Sequence, residues 1–396
     1  MGINKTIKTI YDKIVIGTIK NTEVTPKVEK WDEYLEKIGW DDNPLNESYR
    51  KHLCRMTYFS LPKKIVINFL SVLYLLFSPY KVKENMTLDD DLQNNNALLI
   101  ERKEIPSSDI FPSILNESYE KVHMLYYDDT NKRILSKELR GLYLSIKKKY
   151  YFHPYYLLQV KQGLAMLSNC LAYKPFDALV VYDSERDVSS PIITDYLEKK
   201  GKKYISFMHG EYLLQILQAH MSFSEYYIWN PIYADMFGNR LRCNIHVFTN
   251  YVPKKLQKKW DLKEEPDHFL TYYLSGESTT TLKSLVPVFN KLENRGHVCK
   301  VRPHPRYSHL DLLNQLFDMD NIEDPRQTNI KDSLASTEYV VGLSTTVLSE
   351  AYAEGKEIII DDVTDPPEYE NLKKRYCISL QLPHKLLSDV ISEIQE

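Results

Sequence analysis

The stretch TEYVVGLSTTVLSEAYAEGKEIIIDD, residues 337–362, contains the pattern that decides the fold. An apolar run comes first, a segment with apolar residues at helical spacing follows, and a second apolar run, EIIIDD, ends the stretch. Gly355 stands where the helix would end, a position that favours a residue able to adopt a positive φ. The stretch therefore predicts a strand, a helix and a second strand, the repeating unit of a parallel sheet.

The same alternation extends outward from this stretch. Earlier apolar runs predict strands at DALVVY (177–182), KKYISFMHG (202–210), IHVFTN (245–250), HFLTYYLSG (268–276) and HVCKVRPHP (297–305). Residues 251–266 interrupt the pattern with clustered charges between two prolines, which predicts a linker. We therefore expect an α/β protein with two Rossmann-like domains, residues 1–250 and 267–396, facing each other across a cleft. Residues 1–120 carry no clear strand pattern, and we expect them to be mostly helical and irregular.

Composition excludes several classes of protein. The 396 residues are 43% hydrophobic and 27% charged, and the net charge of −3 gives no overall attraction to nucleic acid. The five cysteines are widely spaced and form no CxxC pair, so neither a disulfide framework nor a zinc site is predicted. No signal peptide is evident at the N-terminus, and we expect a cytoplasmic protein.

One segment is unusually apolar. Residues 65–77 contain only two polar side chains and are too short to cross a bilayer, which requires about 20 helical residues. Two interpretations remain open. The segment is a buried core helix, or it is a helix lying on the inner face of the membrane, anchored by Lys63, Lys64, Lys81 and Lys83.

Polar side chains follow three predicted strands of the C-terminal half. Ligands of parallel sheets bind at the carboxyl ends of the strands, so these edges predict a phosphate site. Hydroxyl groups and unpaired backbone N–H groups at the start of a helix can bind an anion. The alternative is that these serine and threonine residues only cap the helix. The candidate residues are Arg302, His304 and Arg306 in VRPHPR, Ser344, Thr345 and Thr346 in GLSTT, and Ser275, Gly276 and Ser278 in LSGES.

Two polar edges of the N-terminal half supply candidates for a general base. FMHGEY places His209 and Glu211 after a strand, and VVYDSERD places Asp183, Glu185 and Asp187 after another. A histidine or carboxylate there can accept a proton from a hydroxyl group. The alternatives are a hydrogen-bonded histidine beneath a glycine turn and a solvated acidic loop.

Residues 267–362 resemble the nucleotide-binding domain of bacterial GT-B glycosyltransferases, especially the sialyltransferase and polysialyltransferase group with its His-Pro motif, here His304-Pro305. The resemblance implies that His304 contacts the phosphate of CMP and assists its departure, that 344–346 bind the same phosphate, and that Glu350 reaches a ribose hydroxyl. The group's acidic base motif ending in glycine is absent here, so the base remains open among the candidates named above.

A second resemblance is to the CDP-glycerol glycerophosphotransferases of teichoic acid synthesis. These enzymes pair an HG motif in the N-terminal half with an HP motif in the C-terminal half, and His209-Gly210 and His304-Pro305 stand in that arrangement.

These observations predict an inverting glycosyltransferase that needs neither a metal ion nor a cofactor. The donor would be a CMP-linked, sialic-acid-like sugar bound by the C-terminal domain. The acceptor would be a cell-surface glycan, free or lipid-linked, bound by the N-terminal domain at the inner face of the cytoplasmic membrane. The alternatives are a CDP-polyol phosphotransferase and a noncatalytic module that binds a glycan or nucleotide.

Overall fold

The computed structural model describes residues 28–83, 95–103, 106–130, 132–257, 265–305, 308 and 310–394. Arg306 and residues 258–264 of the linker predicted at 251–266 lie outside the described residues. Contacts divide the chain into two compact units, one made of Met1–His209 and Leu214–Tyr251 and the other of Gly210–Leu213 and Val252–Glu396.

The first unit is built on a parallel sheet. Its described strands are β1 (Lys81–Lys83), β2 (Asn96–Glu101), β3 (Lys121–Tyr126), β4 (Ile134–Ser136), β5 (Ala178–Tyr182), β6 (Lys203–Phe207), β7 (Ser222–Ile228) and β8 (Asn244–Asn250). Six of them pair in parallel in the order β3-β2-β5-β6-β7-β8, and β1 pairs with β4 separately. Every residue of β5 is buried, as expected for a central strand with both faces covered.

Helices pack around this sheet. They are α1 (Val28–Ile38), α2 (Pro44–Met56), α3 (Leu61–Phe77), α4 (Ile114–Ser118), α5 (Tyr127–Thr130), α6 (Lys137–Lys149), α7 (Pro154–Tyr173), α8 (Ser190–Glu198) and α9 (Ile232–Asp235). The expectation of a mostly helical and irregular region at residues 1–120 included no strand. The described part of this region contains α1 to α4 together with the strand β1 and, in the six-stranded sheet, the strand β2. This strand lies second in the sheet, and its apolar run NALLIE is short enough to be mistaken for part of a polar loop.

The second unit contains a five-stranded parallel sheet. Its strands are β9 (His268–Tyr273), β10 (Cys299–Arg302), β11 (Thr337–Gly342), β12 (Ile358–Ile360) and β13 (Lys385–Leu386), in the order β10-β9-β11-β12-β13. Its helices are α10 (Lys254–Gln257), α11 (Thr279–Glu293), α12 (Leu310–Leu316), α13 (Ile330–Ser336), α14 (Thr346–Ala353), α15 (Pro366–Lys374) and α16 (Leu387–Glu393). The prediction of an α/β fold with two Rossmann-like parallel sheets is confirmed.

The apolar helix α3 has two different faces. Ile67, Leu70 and Tyr74 are buried in a cluster with residues of α7. The opposite face is apolar and exposed, with Leu61 at 71%, Ile65 at 63% and Phe69 at 62% exposure. In the described parts of the chain, no helix combines the length and the apolar character needed to span a bilayer. The core interpretation therefore accounts for one face of α3 and leaves the other unexplained.

Helix α2 is fixed to the first unit by a buried lysine. The helix begins at Pro44 after Asn43, whose side chain accepts the N–H groups of the first turn. Its Lys51 is 1% exposed, and the Lys51 ammonium donates to the carbonyls of Glu185, Leu217 and Ala219 at 2.6, 3.3 and 3.1 Å. Burial lowers the pKa of Lys51 to about 8. One ammonium thus ties α2 to two loops of the sheet.

Replacing this lysine should destabilise the first unit. Lys51→Met leaves three carbonyls without their donor, and we expect the free energy of unfolding to fall by about 2 kcal/mol. Chemical denaturation measures the change. The exposed Lys199→Met is the matched control and should change stability by less than about 0.5 kcal/mol. Equal stabilities of the two variants would contradict the anchoring role.

Candidate functional site

The second sheet brings the predicted polar edges together. Because β9, β10 and β11 are neighbours and parallel, their carboxyl ends lie at one edge of the sheet. The strand order reverses between β9 and β11, and ligands of open parallel sheets bind at such a switch point. The loops after these two strands contain Ser275 and Ser344, and the loop after β10 contains His304.

The loop after β10 is held by its backbone. Pro303 is buried and ends the strand, and the His304 backbone N–H donates to Ser308 Oγ at 2.8 Å. The His304 side chain is half-buried at the sheet edge. A histidine in this position has a fixed backbone and a ring that solvent can still reach.

Arg302 has a structural partner that sequence reasoning missed. Its guanidinium forms a buried ion pair with Glu323 and donates to the Thr328 carbonyl at 2.8 Å. Arg302 itself is only 7% exposed. Its positive charge is therefore shared with a carboxylate, and its role in this structure is to hold the end of β10 against the 323–328 segment.

The turn after β9 already binds an anionic group. The backbone N–H of Ser275 donates to both Glu277 carboxylate oxygens, at 3.0 and 2.8 Å, and that of Gly276 donates to Oε2 at 3.0 Å. Gly276 has a φ of +117°, a conformation that favours glycine. The Glu277 carboxylate thus occupies the N–H groups that the sequence assigned to a phosphate. Glu277 was not among the predicted residues, although its place in the turn LSGES is the signal that could have found it.

Two hydroxyls at this edge cap helices. Ser278 Oγ accepts from the Thr281 N–H at 3.2 Å at the start of α11, and Thr345 Oγ1 accepts from the Val347 N–H at 3.4 Å at the start of α14. Both satisfy the helix-cap alternative. Ser344 and Thr346 flank the cap of α14 and are half-buried, so they remain positioned for a ligand at the helix N-terminus.

Gly342 allows the end of β11 to pack closely against neighbouring backbone and side-chain atoms. A Cβ added there would lie 2.9 Å from the Thr345 methyl group and 3.2 Å from the Tyr273 carbonyl oxygen. The end of β11 therefore packs directly against the end of β9, and the loops that follow these two strands stay close together.

Two glutamates, Glu350 of α14 and Glu211, interact with Lys255. Lys255 Nζ is 3.6 Å from Glu350 Oε1, so the predicted ribose ligand is in an ion pair. Burial raises the pKa of Glu211 to about 7; the Ser349 hydroxyl and Lys255 oppose the shift, and Glu350 adds to it. A carboxyl group with this pKa can exchange a proton near neutral pH. Glu211 belongs by its contacts to the second unit, whereas the preceding His209 belongs to the first.

In the first unit, the predicted His209 and the 183–187 loop come together. His209 Nε2 lies 3.7 Å from Asp183 Oδ1, and Asp183 Oδ2 lies 3.3 Å from an Arg102 guanidinium nitrogen. Asp183 has a φ of +52°, an uncommon value for a non-glycine residue. The arrangement is a histidine beside a carboxylate, which can orient the ring.

The other two acids of this loop have internal partners. Glu185 is 2% exposed and accepts from the Tyr226 hydroxyl at 2.7 Å. Asp187 accepts from the backbone N–H and the hydroxyl of Ser189, at 2.9 and 2.7 Å. Asp187 therefore shapes the turn before α8, and Glu185 packs beneath the loop.

Among the described residues, one group of side chains could hold a metal ion. Ligand atoms of Asp183, Glu185 and His209 all lie within 4.8 Å of one another. Arg102 competes for the Asp183 carboxylate, which reduces the negative charge available to a cation. The sequence-based expectation of a metal-independent reaction stays a prediction.

No protein-family model and no curated protein matches the chain. Among solved structures it is similar to CalG4, the calicheamicin glycosyltransferase, at 12% identity, covering 74% of this chain and 86% of that chain with a TM-score of 0.40. It is similar to the wall teichoic acid polymerase TagF at 11% identity, covering 90% and 89% of the two chains with a TM-score of 0.40. It is also similar to UDP-GlcNAc 2-epimerase from Methanocaldococcus jannaschii at 14% identity, covering 72% and 92% with a TM-score of 0.36. All three identities lie below 15%, and all three TM-scores lie below 0.5.

The raised pKa of Glu211 predicts a pH-dependent stability. The group titrates at 4.5 in its ordinary state and at about 7 in the folded protein. The folded protein therefore keeps a proton that the unfolded chain loses, and this stabilisation is fully present below pH 4.5 and lost as the pH rises through 7. We expect Glu211→Gln to raise the Tm relative to wild type at pH 8 and to leave it nearly unchanged at pH 4.5.

Thermal unfolding between pH 4.5 and 8 measures this difference. The exposed Glu338→Gln in the same unit is the control and should follow the wild-type curve. Parallel curves for wild type and Glu211→Gln would contradict the protonated, desolvated state of the carboxyl group.

Proposed function

We propose that the protein is a glycosyltransferase that uses a nucleotide-activated sugar. The observation that carries the proposal is the convergence of the loops after β9, β10 and β11 at the switch point of the second sheet. A histidine and the N-terminus of α14 meet the needs of a nucleotide phosphate there. The His-Pro pair favours CMP as the nucleotide and a sialic-acid-like sugar as the group transferred.

The proposed reaction is a direct displacement with inversion. The acceptor hydroxyl oxygen forms a bond to the anomeric carbon as the bond from that carbon to the phosphate oxygen breaks. The electron pair of the broken bond goes to the phosphate, where His304 and the N-terminus of α14 stabilise the developing charge. The hydroxyl proton goes to a base. His209, oriented by Asp183, and Glu211, with a pKa of about 7, are the two candidates.

A second candidate function is CDP-polyol phosphotransfer to a phosphate-bearing acceptor. The observation that favours it is the position of both motif histidines at carboxyl ends of strands, His209 after β6 and His304 after β10. In this reaction the bond that breaks lies between the two phosphates of the donor.

A noncatalytic binding module is the third candidate function. The His209–Asp183 pair is better suited to proton transfer than to simple binding, which disfavours that reading.

The proposed site of action is the inner face of a membrane that carries anionic lipid. Helix α3 presents an exposed apolar face, and residues 60–83 contain four lysines and no acidic residue. Lys63, Lys81 and Lys83 are exposed at the two ends of this segment. An apolar face flanked by cations suits a helix that lies in the interface of such a membrane, so a lipid-linked acceptor is favoured.

Nucleotide binding to the second unit tests the main proposal. A ligand that binds only the folded protein raises its Tm, and we expect CMP to do so at millimolar concentration or below. His304→Ala should lose this shift, keep the Tm of the free protein, and lower turnover at least about 100-fold. His246→Ala, an exposed histidine of the first unit, should leave both unchanged.

The nucleotide that stabilises the protein distinguishes the alternatives. CDP acting more strongly than CMP would favour the polyol phosphotransferase, and a UDP or GDP response would retain the fold and change the donor. No response to any nucleotide would overturn the proposal. Turnover that survives EDTA would agree with the absence of a required metal, and its loss would point to the group Asp183, Glu185 and His209.

Membrane contact is tested by vesicle sedimentation of the full chain. We expect binding to vesicles of phosphatidylglycerol and phosphatidylcholine, and weaker binding to phosphatidylcholine alone. Ile65→Ser/Phe69→Ser removes two exposed apolar side chains and should weaken binding at least about tenfold, with the Tm unchanged.

Met319→Ser is the matched control. Met319 is 79% exposed and belongs to the second unit, so its replacement should not alter vesicle binding. Unchanged binding of the Ile65→Ser/Phe69→Ser variant would exclude α3 as the contact with lipid.

A further inference from the structure

The first unit contains a cavity that borders the Asp183 loop and extends away from His209 into a part of the unit with no role assigned so far. It has a volume of about 540 Å³ and extends from the loop after β5 to helices α2, α3 and α7. Arg102, at the end of β2, and Asp183 and Ser184, after β5, form one side of it. Because β2 and β5 are neighbours at the point where the strand order reverses, the cavity lies at the switch point of the first sheet.

The cavity is strongly cationic, in contrast to the chain as a whole. Its described lining includes two aspartates, Asp183 and Asp187, and five basic residues: Arg55, Arg102, Lys132, Arg133 and Arg186. The net charge of the whole chain is −3. A local excess of arginine around a cavity favours the binding of an anion with several oxygen acceptors.

Within the described residues, most of these cations form no ion pair with a carboxylate. Arg133 donates to the Tyr74 hydroxyl at 3.0 Å and Arg186 to the Gln215 amide oxygen at 3.1 Å, both neutral groups. Arg102 is paired with Asp183. The Arg55 Nε atom is buried and has no hydrogen-bond partner within the described chain. A buried guanidinium nitrogen without an acceptor is costly.

The positive charges near the cavity also lower the pKa of a neighbouring lysine, Lys161. Lys161 stacks over the Tyr80 ring, with Nζ 4.3 Å from the ring centroid. Burial lowers the pKa of Lys161, and the charges of Lys147 and Arg133 lower it further. The region around Arg133 therefore has a positive potential.

One wall of the cavity is the apolar helix that we propose to contact the membrane. Tyr74 belongs to α3 and Tyr80 follows it, and both line the cavity. Tyr74 is on the buried side of α3, while Leu76 and Phe77 nearby are exposed at 68% and 54%. A ligand in the cavity is thus separated from the exposed apolar face by the thickness of one helix.

We propose that this cavity is a binding site for a phosphate or pyrophosphate group of the acceptor. The guanidinium groups of Arg55 and Arg133 and the ammonium of Lys132 bind the phosphate oxygens, and the tyrosines pack against the group that carries the phosphate. The role as acceptor site rests on the proposed glycosyl or polyol phosphate transfer, whereas the affinity for phosphate does not. The substrate class is therefore a phosphorylated or phosphodiester-containing acceptor.

Pyrophosphate binding to the full chain tests the proposal. Isothermal titration with inorganic pyrophosphate, in the presence of excess CMP to occupy a nucleotide site, should detect one site whose affinity falls as salt is raised. Lys132→Gln/Arg133→Gln should weaken binding at least about tenfold. Lys199→Gln/Lys200→Gln, two lysines of the same unit outside the cavity lining, is the matched control and should bind like wild type. Maltose, a neutral ligand, should not compete.

Failure of this proposal is distinguishable from failure of the proposed function. His304→Ala should lose the CMP response and retain pyrophosphate binding. Because Arg133 contacts Tyr74, the single change Lys132→Gln, at an exposed residue, provides a variant that should fold normally and still weaken binding by about threefold. Undetectable pyrophosphate binding to wild type, or equal binding by wild type and both cavity variants, would overturn the proposal.

The source of the phosphate is resolved by a competition experiment. Phosphatidylcholine vesicles that contain a few per cent of a polyprenyl phosphate should displace pyrophosphate from wild type if the acceptor is lipid-linked. Displacement by glycerol 3-phosphate and not by these vesicles would indicate a water-soluble acceptor or polymer end. Both results support an anion site in the cavity and assign it to one source.

Discussion

Parallel pairing is the constraint on which the rest of the molecule depends. In each sheet all strands run in one direction, so each sheet collects its polar loops at a single edge. In the first unit this brings Asp183 to within 3.7 Å of His209, although 26 residues separate them in the chain. In the second it aligns the loops that follow β9, β10 and β11. Helix and cap geometry refine these positions, but the strand direction determines which residues can meet.

The fold could be predicted from sequence wherever burial produces an uninterrupted apolar run. β5 and β12 are buried along their whole length, and ALVVY and III are visible as strands for that reason. β3 lies at the edge of its sheet and has one buried residue among six, and KVHMLY gives little signal. β2 is buried, but its six residues follow an asparagine-rich segment and were counted with the irregular region. Helix α3 has the composition of a core helix, and only the structure separates its buried face from its exposed one.

The sequence indicates which strand ends carry polar side chains, but it does not indicate the partners of those side chains. A sequence can indicate that Arg302 ends a strand, but not that Glu323, 21 residues later, forms a buried ion pair with it. The turn at 275–278 suggests a place for an anion, and the structure fills its N–H groups with the neighbouring Glu277 carboxylate. Such partners depend on side-chain positions that no local pattern contains. The cationic cavity also has no local sequence pattern, because Arg55, Arg102 and Arg133 lie in separate parts of the chain.

The two units differ in how many of their basic groups are paired with carboxylates. At the edge of the second sheet, Arg302 and the turn N–H groups are matched to carboxylates of the same unit. Of the described groups at this edge, His304 and the N-terminus of α14 therefore remain for an anion. In the first unit, Arg133 and Arg186 have neutral partners and Arg55 Nε has none within the described chain. Uncompensated cations attract an anion over a longer range than a helix terminus does, since the potential of a full charge decays more slowly than that of a dipole. The cavity of the first unit should therefore bind a phosphate group more tightly than the edge of the second sheet does. A nucleotide-sugar donor bound at that edge must then gain the rest of its binding free energy from contacts with its base and ribose.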